Sequence, residues 1–334
     1  MTPALWFGLL LTLLAGLLSG NCMLPMKFVK RWPWENTWLI FSVVSLVILP
    51  WGLALALVKD IGAVYAALPA SAFAAPLVFG VGWGIAQVLF GLSIARLGMA
   101  LGYAIIVGLG ALLGTLVPLA VKNREVLGTG RGTLILSGVT VMVLGIAVSA
   151  RAGLKRERGG GAPAGGRYGA ALALAVLCGL MAPMLNYAFA FGQSIAVEAV
   201  RQGASHEAAG YAVWPVGLLG GLIPNLAYSF WLLGRNRTWK HFRGPWSPDV
   251  WLGCLMGVFW MGAVALYGVG SVYLGTLGTS VGWALFQIFM IMTANLSGVM
   301  TGEWKQAPAA AQRGLWTGLA FLAVATALIA AGNR

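Results

Sequence analysis

The feature that most constrains this chain is its series of long segments without a charged residue. They are residues 2–26, 36–58, 61–95, 97–121, 132–150, 168–197, 208–234, 250–302 and 314–333. A helix needs about 20 apolar residues to cross the hydrocarbon core of a bilayer. Charged residues make up only 9% of the chain, against about 25% in a typical soluble domain. The sequence therefore predicts an all-α integral membrane protein.

These segments predict ten transmembrane helices. The segment 250–302 is long enough for two spans, and we expect the turn between them at 270–278, GSVYLGTLG. The segment 61–95 opens with the loop-like stretch AALPASAFAAP, so its span is expected at about 76–95. The N-terminal segment lacks the basic start of a secretory signal peptide, and we interpret it as a retained first span.

The basic residues predict the orientation of these spans. Most of the 21 Lys and Arg follow odd-numbered spans, and the largest group lies in RAGLKRERGGGAPAGGR at 151–167. Cytoplasmic loops carry the excess of Lys and Arg, so both termini are predicted to lie on the outer side of the membrane. Because the bases lie in short loops between apolar segments, the net charge of +13 predicts contacts with anionic lipid head groups and no nucleic-acid partner.

A short motif occurs once in each half of the chain. LGMALGYAI at 97–105 returns as LGTSVGWAL at 277–285, at the junctions of spans 3/4 and 8/9. Each half then holds five spans, and an odd number inverts the second copy relative to the first. Two inverted five-helix repeats are predicted, 1–150 and 168–334, joined by a basic, Gly-rich cytoplasmic linker at 151–167. Inverted repeats are typical of secondary transporters, whose substrate binds near the midplane.

Amide and aromatic side chains within the spans indicate a neutral, hydroxyl-rich substrate. Amides and phenols can hydrogen-bond sugar hydroxyls, and flat aromatic rings can cover the apolar face of a sugar ring. The residues predicted to bind such a substrate are Asn21, Trp83, Gln87, Tyr103, Asn186, Tyr187, Asn225, Trp283, Gln287 and Asn295.

Spacing singles out two pairs among these residues. Trp83 and Gln87 are four residues apart, as are Trp283 and Gln287, so each pair shares one helix face. An aromatic ring beside an amide suits a sugar site. The alternative for any single amide is an interhelical hydrogen bond, with the Trp at the membrane interface.

Two further positions carry open alternatives. Asn225 follows Pro224, where a broken helix would expose backbone carbonyls to a ligand, or where the amide would repair a proline kink. Tyr103 and Trp283 occupy equivalent positions of the repeated motif near the ends of their spans. They are interpreted either as gates beside a central site or as aromatic residues of the membrane interface.

The charged residues bear on coupling to an ion gradient. None of the eight acids lies in the middle of a predicted span, although a proton coupler normally needs a titratable group within the membrane. The candidates are Glu198 and Glu303, at span ends, and the alternative for each is an ion pair with Arg201 or Lys305. Glu35 is expected to anchor its loop to neighbouring Lys or Arg side chains.

In several motifs the chain resembles the L-rhamnose–proton symporter family of the drug/metabolite transporter superfamily. The resembling motifs cover nearly the whole chain: PMKFVKRWPWENTW (25–38), ILPWGLALAL (48–57), FGVGWGIAQVLFGLSIARLGMALG (79–102), GTLVPL (114–119), RAGLKRER (151–158), LALAVLCG (172–179), GGLIPNL (220–226) and GEWKQA (302–307). The resemblance implies ten helices in two inverted repeats and uptake of L-rhamnose or a related deoxyhexose across a bacterial inner membrane, which makes the outer side the periplasm. Proton coupling is implied by the family alone.

The resulting prediction is a secondary active transporter that imports a neutral sugar by alternating access and is proton-coupled. The alternatives are an uncoupled sugar facilitator and a metabolite or amino-acid exporter of the same superfamily. An amino acid would need charged partners, which the spans lack. An enzyme is not expected, because no span holds a metal cluster, a carboxylate pair or a nucleophile beside a base. Neither a cofactor nor a metal is predicted.

Overall fold

The computed structural model describes residues 3–97, 99–158, 168–243 and 247–333, and within these ranges it is helical with no strand. Residues 159–167, most of the predicted linker, lie outside the described residues. In chain order the α-helices are α1 (Pro3–Asn21), α2 (Trp34–Val43), α3 (Leu49–Leu57), α4 (Ile61–Ala66), α5 (Ser71–Leu97), α6 (Met99–Lys122), α7 (Gly130–Arg158), α8 (Tyr168–Met181), α9 (Met184–Phe191), α10 (Gln193–Arg201), α11 (His206–Ala209), α12 (Trp214–Arg235), α13 (Pro248–Tyr273), α14 (Gly278–Met300) and α15 (Ala309–Gly332).

Ten helical segments in the described part of the chain are long and apolar enough to cross a membrane, as predicted. The 250–302 segment divides into α13 and α14 at a 3₁₀ turn, Gly275–Leu277, inside the predicted turn. Gly275 has a φ of 78°, a backbone conformation that glycine adopts without steric cost. The all-α membrane fold and the number of spans are therefore confirmed.

The third span begins earlier than the sequence predicted. α5 starts at Ser71 rather than near residue 76, and the short helix α4 precedes it. Proline cannot donate a backbone hydrogen bond, and Pro76, the sixth residue of α5, removes only one bond of the helix. The Ala-rich residues before Pro76 favour helix, which explains why the stretch that looked loop-like continues the span.

Two spans are irregular where the sequence places proline or glycine. The second span contains a π-helical segment, Val44–Ile48, just before Pro50. The sixth span is divided into α8, α9 and α10, with breaks at Ala182–Pro183 and at Gly192. Such interruptions within membrane helices are concentrated at functional sites.

The described residues form two compact units. The first unit comprises Met1–Gly20, Leu89–Pro183 and Gly270–Arg334. Its core lies along α6, α7, α14 and α15 and includes Ile135, Met142 and Leu322, which are fully buried. α7 and α15 approach closely, because a Cβ at Gly318 would lie 2.1 Å from the Ser149 hydroxyl oxygen. Small residues permit such contacts between membrane helices.

The second unit comprises Asn21–Val88 and Met184–Val269. Here α5 lies against α12 with almost no side chain between them: a Cβ at Gly84 would lie 2.5 Å from the Gly221 carbonyl oxygen. This contact places the aromatic residues of α5 directly over α12. Each half of the sequence contributes segments to both units in the same order, as an internal duplication would require, while the inverted orientation of the repeats stays a prediction.

Candidate functional site

The interrupted sixth span carries a buried polar contact in the second unit. Asn186 lies on α9, between the two breaks, and is inaccessible to solvent. Its side-chain oxygen accepts a hydrogen bond from the Tyr267 hydroxyl of α13. Tyr187, the next residue, is buried and packs edge-on against Phe79 and Phe191. The break in the span therefore places an amide and phenols together within an aromatic surround.

A stacked tryptophan pair lies in the same unit. The Trp83 ring of α5 stacks on Trp260 of α13, with centroids 5.2 Å apart and planes 24° apart. Trp83 is buried, and a Cβ at Gly221 would meet its ring at 2.7 Å. Gln87, one turn further along α5, is half-buried, and its amide makes no hydrogen bond to any described residue.

Asn225 is held within α12, which is continuous through Pro224. Its amide nitrogen donates to the Gly221 carbonyl at 2.9 Å, and its oxygen accepts from the Trp38 indole nitrogen at 3.1 Å. Of the two alternatives for this residue, the structure has the unbroken helix, with the amide bonded inside the protein. Breaks occur instead in the sixth span.

An aromatic series on α2 continues from this contact. Trp34 stacks on Trp38 at 4.9 Å between centroids, and Trp38 lies 4.8 Å from Phe41. Phe41 in turn meets Trp260 edge-on at 6.2 Å, which connects the series to the stacked pair on α5 and α13. The second unit thus contains a continuous aromatic surface with the amide of Asn225 at its side.

The predicted residues of the first unit lie on α6 and α14. The Trp283 indole nitrogen donates to the Gly110 carbonyl at 3.1 Å, and a Cβ at Gly114 would collide with the same ring. Trp283 is buried, so it connects two helices rather than facing the membrane interface. Tyr103 is half-buried beside Phe90, with ring centroids 6.2 Å apart.

The remaining amides differ in how they are bonded. Gln287 is buried, yet its side chain makes no hydrogen bond to any described residue. Asn295 donates to the Ile291 carbonyl at 2.9 Å, one turn back along its own helix. Asn21 is half-buried at the end of α1. Among the amides predicted to bind substrate in the first unit, Gln287 is therefore the one that makes no hydrogen bond to a described residue.

The structure distributes the predicted site over both units. Those in the second unit are Asn21, Trp83, Gln87, Asn186, Tyr187 and Asn225, and those in the first are Tyr103, Trp283, Gln287 and Asn295. Within the second unit the contacts join Asn186, Trp83 and Asn225 to one set of aromatic helices. That the Trp83–Gln87 and Trp283–Gln287 pairs face one substrate stays a prediction.

Both coupling candidates are paired with arginine. Glu198 is buried and accepts from Arg201 and Gln202, each at 2.9 Å, which confirms the predicted ion pair. Glu303 is more exposed and pairs with Arg156 at 3.4 Å.

Two buried carboxylates have partners that the sequence analysis did not predict. Glu35 was expected to bind Lys or Arg, but its Oε1 accepts from the Asn236 amide and the Thr238 hydroxyl, both at 2.9 Å. Asp249 accepts from the backbone N–H groups of residues 30–32. Each acid lies in the first turn of a helix, where the helix dipole favours a carboxylate. That position, two residues after Pro33 for Glu35 and one residue after Pro248 for Asp249, is the signal that identifies both.

Two aromatic partners were also missing from the predicted site. Trp38 and Tyr267 bond to Asn225 and Asn186, which lie 187 and 81 residues away in the sequence. Spacing within one helix cannot show which aromatic residue of another helix meets an amide. Among the described residues, no three His, Cys, Asp or Glu side chains come together as metal ligands would.

The sequence of this chain is similar to those of known membrane transporters. Residues 1–333 match the L-rhamnose-proton symport protein (RhaT) family. The chain belongs to this family. It is 28% identical to the L-rhamnose-proton symporter of Mannheimia succiniciproducens, over 95% of each chain. It is 30% identical to that of Cronobacter sakazakii over 92% of each, and 31% identical to that of Yersinia pestis over 87% of this chain and 88% of the relative.

Membership of the L-rhamnose-proton symport protein family confirms the resemblance found in the motifs. It also confirms that the protein is a transporter and not an enzyme, since the family and its relatives are named as symporters. With ten apolar helices in its described residues, the protein is a multi-pass membrane transporter.

Proposed function

We propose that this protein imports L-rhamnose, or a related deoxyhexose, across the bacterial inner membrane together with protons and by alternating access. The relatives that match nearly their whole length are named L-rhamnose-proton symporters. The cargo is therefore a neutral sugar, in keeping with spans whose interiors hold amides and aromatic rings rather than charges.

The observation that carries this proposal is the amide and aromatic cluster of the second unit. Asn186 and Tyr267 supply hydrogen-bonding groups, and the Trp83–Trp260 stack supplies flat apolar rings. A small number of placed polar groups among apolar and aromatic side chains is typical of small-molecule sites. The full proposed site remains Asn21, Trp83, Gln87, Tyr103, Asn186, Tyr187, Asn225, Trp283, Gln287 and Asn295.

Alternating access requires spans that can change shape near the substrate. The π-helical segment Val44–Ile48 and the break at Gly192 lie in the unit that holds this cluster. We place the substrate against α9, because a discontinuous helix offers backbone groups that a regular helix would use internally.

The proposed topology follows from the charges and the repeat. Residues 1–150 and 168–334 are the two inverted repeats, the linker 151–167 is cytoplasmic, and both termini are periplasmic. The basic loops on the cytoplasmic side contact anionic lipid head groups.

A second candidate function, an uncoupled sugar facilitator, is favoured by one observation. The acids within the described spans, such as Glu35, Glu198 and Asp249, lie near span ends and not at a midplane. A proton coupler usually carries its titratable group within the membrane. If transport is coupled, the proposed carriers are Glu198 and Glu303.

The deciding experiment is uptake of labelled L-rhamnose into proteoliposomes, with and without an imposed inward proton gradient. The symporter is supported if rhamnose accumulates above its external concentration and if this accumulation requires the gradient. Equilibration that ignores the gradient supports the facilitator. No rhamnose movement, in vesicles that contain folded protein, would contradict both and return the search to other neutral sugars.

A further inference from the structure

A groove on the first unit combines an apolar floor with cations at one end. It lies between α6 and α7, has a volume of about 320 Å³, and is lined by Leu101, Ala104, Ile105, Gly108, Val143, Ile146, Ala147, Ala150, Arg151 and Leu154. Arg151 is exposed, and so is Lys155, one turn further along α7. From this geometry we propose that the groove binds one acyl chain of an anionic phospholipid, whose phosphate is held by Arg151 and Lys155.

The dimensions of the groove match a single lipid leaflet. From Val143 to Leu154 the lining extends along α7 for about 16 Å, at 1.5 Å per residue. The hydrocarbon core of a bilayer is about 30 Å thick, so one leaflet spans about half of that. The groove begins near the middle of the α7 span and ends near Arg156, where that span ends. An acyl chain lying in it therefore reaches the membrane surface beside the cations.

The floor of the groove is made by small residues. Ala104 and Gly108 lie on α6, and Ala147 and Ala150 lie on α7, while larger side chains form the walls. A Cβ at Gly108 would meet only Ile146, at 3.7 Å, so glycine leaves space there without being required by close backbone packing. Such a channel accepts a flexible hydrocarbon chain but offers no hydrogen bonds to a polar ligand.

The cations at the end of the groove are available to a phosphate. Neither Arg151 nor Lys155 makes an ion pair with any described residue. The nearby Arg156 is different, since it pairs with Glu303 and lies over the Trp304 ring at 4.7 Å. Long basic side chains extend along an apolar surface to place their charge at the head-group level, and basic pockets at this level select anionic lipids.

A second groove on the same unit supplies an internal comparison. It lies between α1 and α15 and has a volume of about 550 Å³. Its lining residues, which include Trp6 and Ala331, are all uncharged. Lipid chains there gain apolar contact only, so no head-group preference is expected. The positive charge at the end of the α6–α7 groove is the reason that this groove should prefer an anionic lipid.

The test is native mass spectrometry of the purified full-length protein, mixed with equal amounts of phosphatidylglycerol and phosphatidylcholine of the same acyl chains. We expect the wild type to retain phosphatidylglycerol preferentially. The double variant Arg151→Gln/Lys155→Gln should lower that preference about tenfold or more, since two basic contacts are lost. Ala147→Leu, which fills the groove and keeps both charges, should also lower phosphatidylglycerol retention, and inorganic phosphate should not displace the lipid.

The matched control is Arg124→Gln, which removes one exposed charge at the opposite end of the α6–α7 pair. It should leave the preference unchanged. An unchanged preference in the double variant, or an equal loss in Arg124→Gln, would overturn the proposal. Full retention in Ala147→Leu would mean that the head group binds without the groove, which also contradicts it. All variants change exposed side chains, and a melting curve confirms that each remains folded.

Discussion

At the scale of single residues, the polar side chains inside this transporter fall into two groups. Asn225 and Asn295 use their amides for bonds within the protein, and such bonds are expensive to lose in a membrane. Gln87 and Gln287 make no hydrogen bond to any described residue. In the proposed site, the hydroxyls of a bound sugar are the hydrogen-bonding partners of these two amides.

Replacing either glutamine should therefore affect substrate and not stability. We expect Gln87→Leu and Gln287→Leu each to weaken L-rhamnose binding about tenfold, the effect of losing roughly one hydrogen bond to a ligand, with melting unchanged. Binding is measured by titration calorimetry on purified protein. Asn225→Leu is the contrasting variant, because losing its two internal bonds should lower the melting temperature. Normal binding in both glutamine variants would remove them from the site.

Glu35 should act as a buried structural acid. Glu35→Leu leaves the donors of Asn236 and Thr238 without an acceptor, which should destabilise the protein by about 2–3 kcal/mol. Glu35→Gln keeps an oxygen in the same place and should cost less than half of that. Chemical unfolding monitored by tryptophan fluorescence compares the two variants. Equal stabilities would show that the hydrogen bonds to Glu35 contribute nothing.

Glu303 offers a separate test of coupling. If Glu303 carries the proton, Glu303→Gln keeps rhamnose exchange across vesicles but loses accumulation driven by the gradient. Stability should change by less than about 1 kcal/mol, because the pair with Arg156 is partly exposed. Counterflow and gradient-driven uptake in the same proteoliposomes separate the two activities. Accumulation at the wild-type level would exclude Glu303, and the same pair of assays on Glu198→Gln tests the other candidate.

At the scale of helices, hydropathy predicted where spans lie but not how regular they are. The number of spans and the position of the turn before α14 depend on the hydropathy of neighbouring residues, which the sequence shows directly. The breaks around α9 are different. A proline inside α12 leaves that helix continuous, whereas Pro183 accompanies a break, because the surrounding helices decide whether the lost hydrogen bond can be tolerated.

The contact between α5 and α12 gives a prediction at this scale. Gly84→Ala should destabilise the protein by about 1–3 kcal/mol, the range for overpacking, because its Cβ would lie 2.5 Å from a backbone oxygen. Gly91→Ala is the matched control on the same helix, since a Cβ there meets nothing within 4 Å. It should be neutral or slightly stabilising. Thermal unfolding of the two variants decides, and equal midpoints would contradict the close packing.

At the scale of the whole molecule, both sequence halves contribute to both compact units. The predicted repeats, 1–150 and 168–334, are a hypothesis about internal duplication, whereas the units describe which segments pack together. An internal duplication is compatible with units of mixed origin, because corresponding segments of each half occupy the same unit.

The orientation in the membrane can be tested directly. In a background with Cys22, Cys178 and Cys254 replaced by alanine, we expect Gly128→Cys to react with a membrane-impermeant maleimide on intact cells. Ala162→Cys, in the basic linker, should react only after permeabilisation, because positive loops stay cytoplasmic. The reverse pattern would invert the topology while leaving the number of spans intact.

The sequence by itself determined the membrane fold, the ten spans and the neutral, amide-rich character of their interiors, because hydropathy and composition are properties of neighbouring residues. The tertiary structure decided which polar groups are satisfied. Asn225 and Trp38 are 187 residues apart, and Glu35 and Asn236 are 201 apart. Helices that are uniformly apolar give no periodic signal for such pairings. Only packing shows that Asn225 is already bonded, whereas Gln287 makes no hydrogen bond to any described residue.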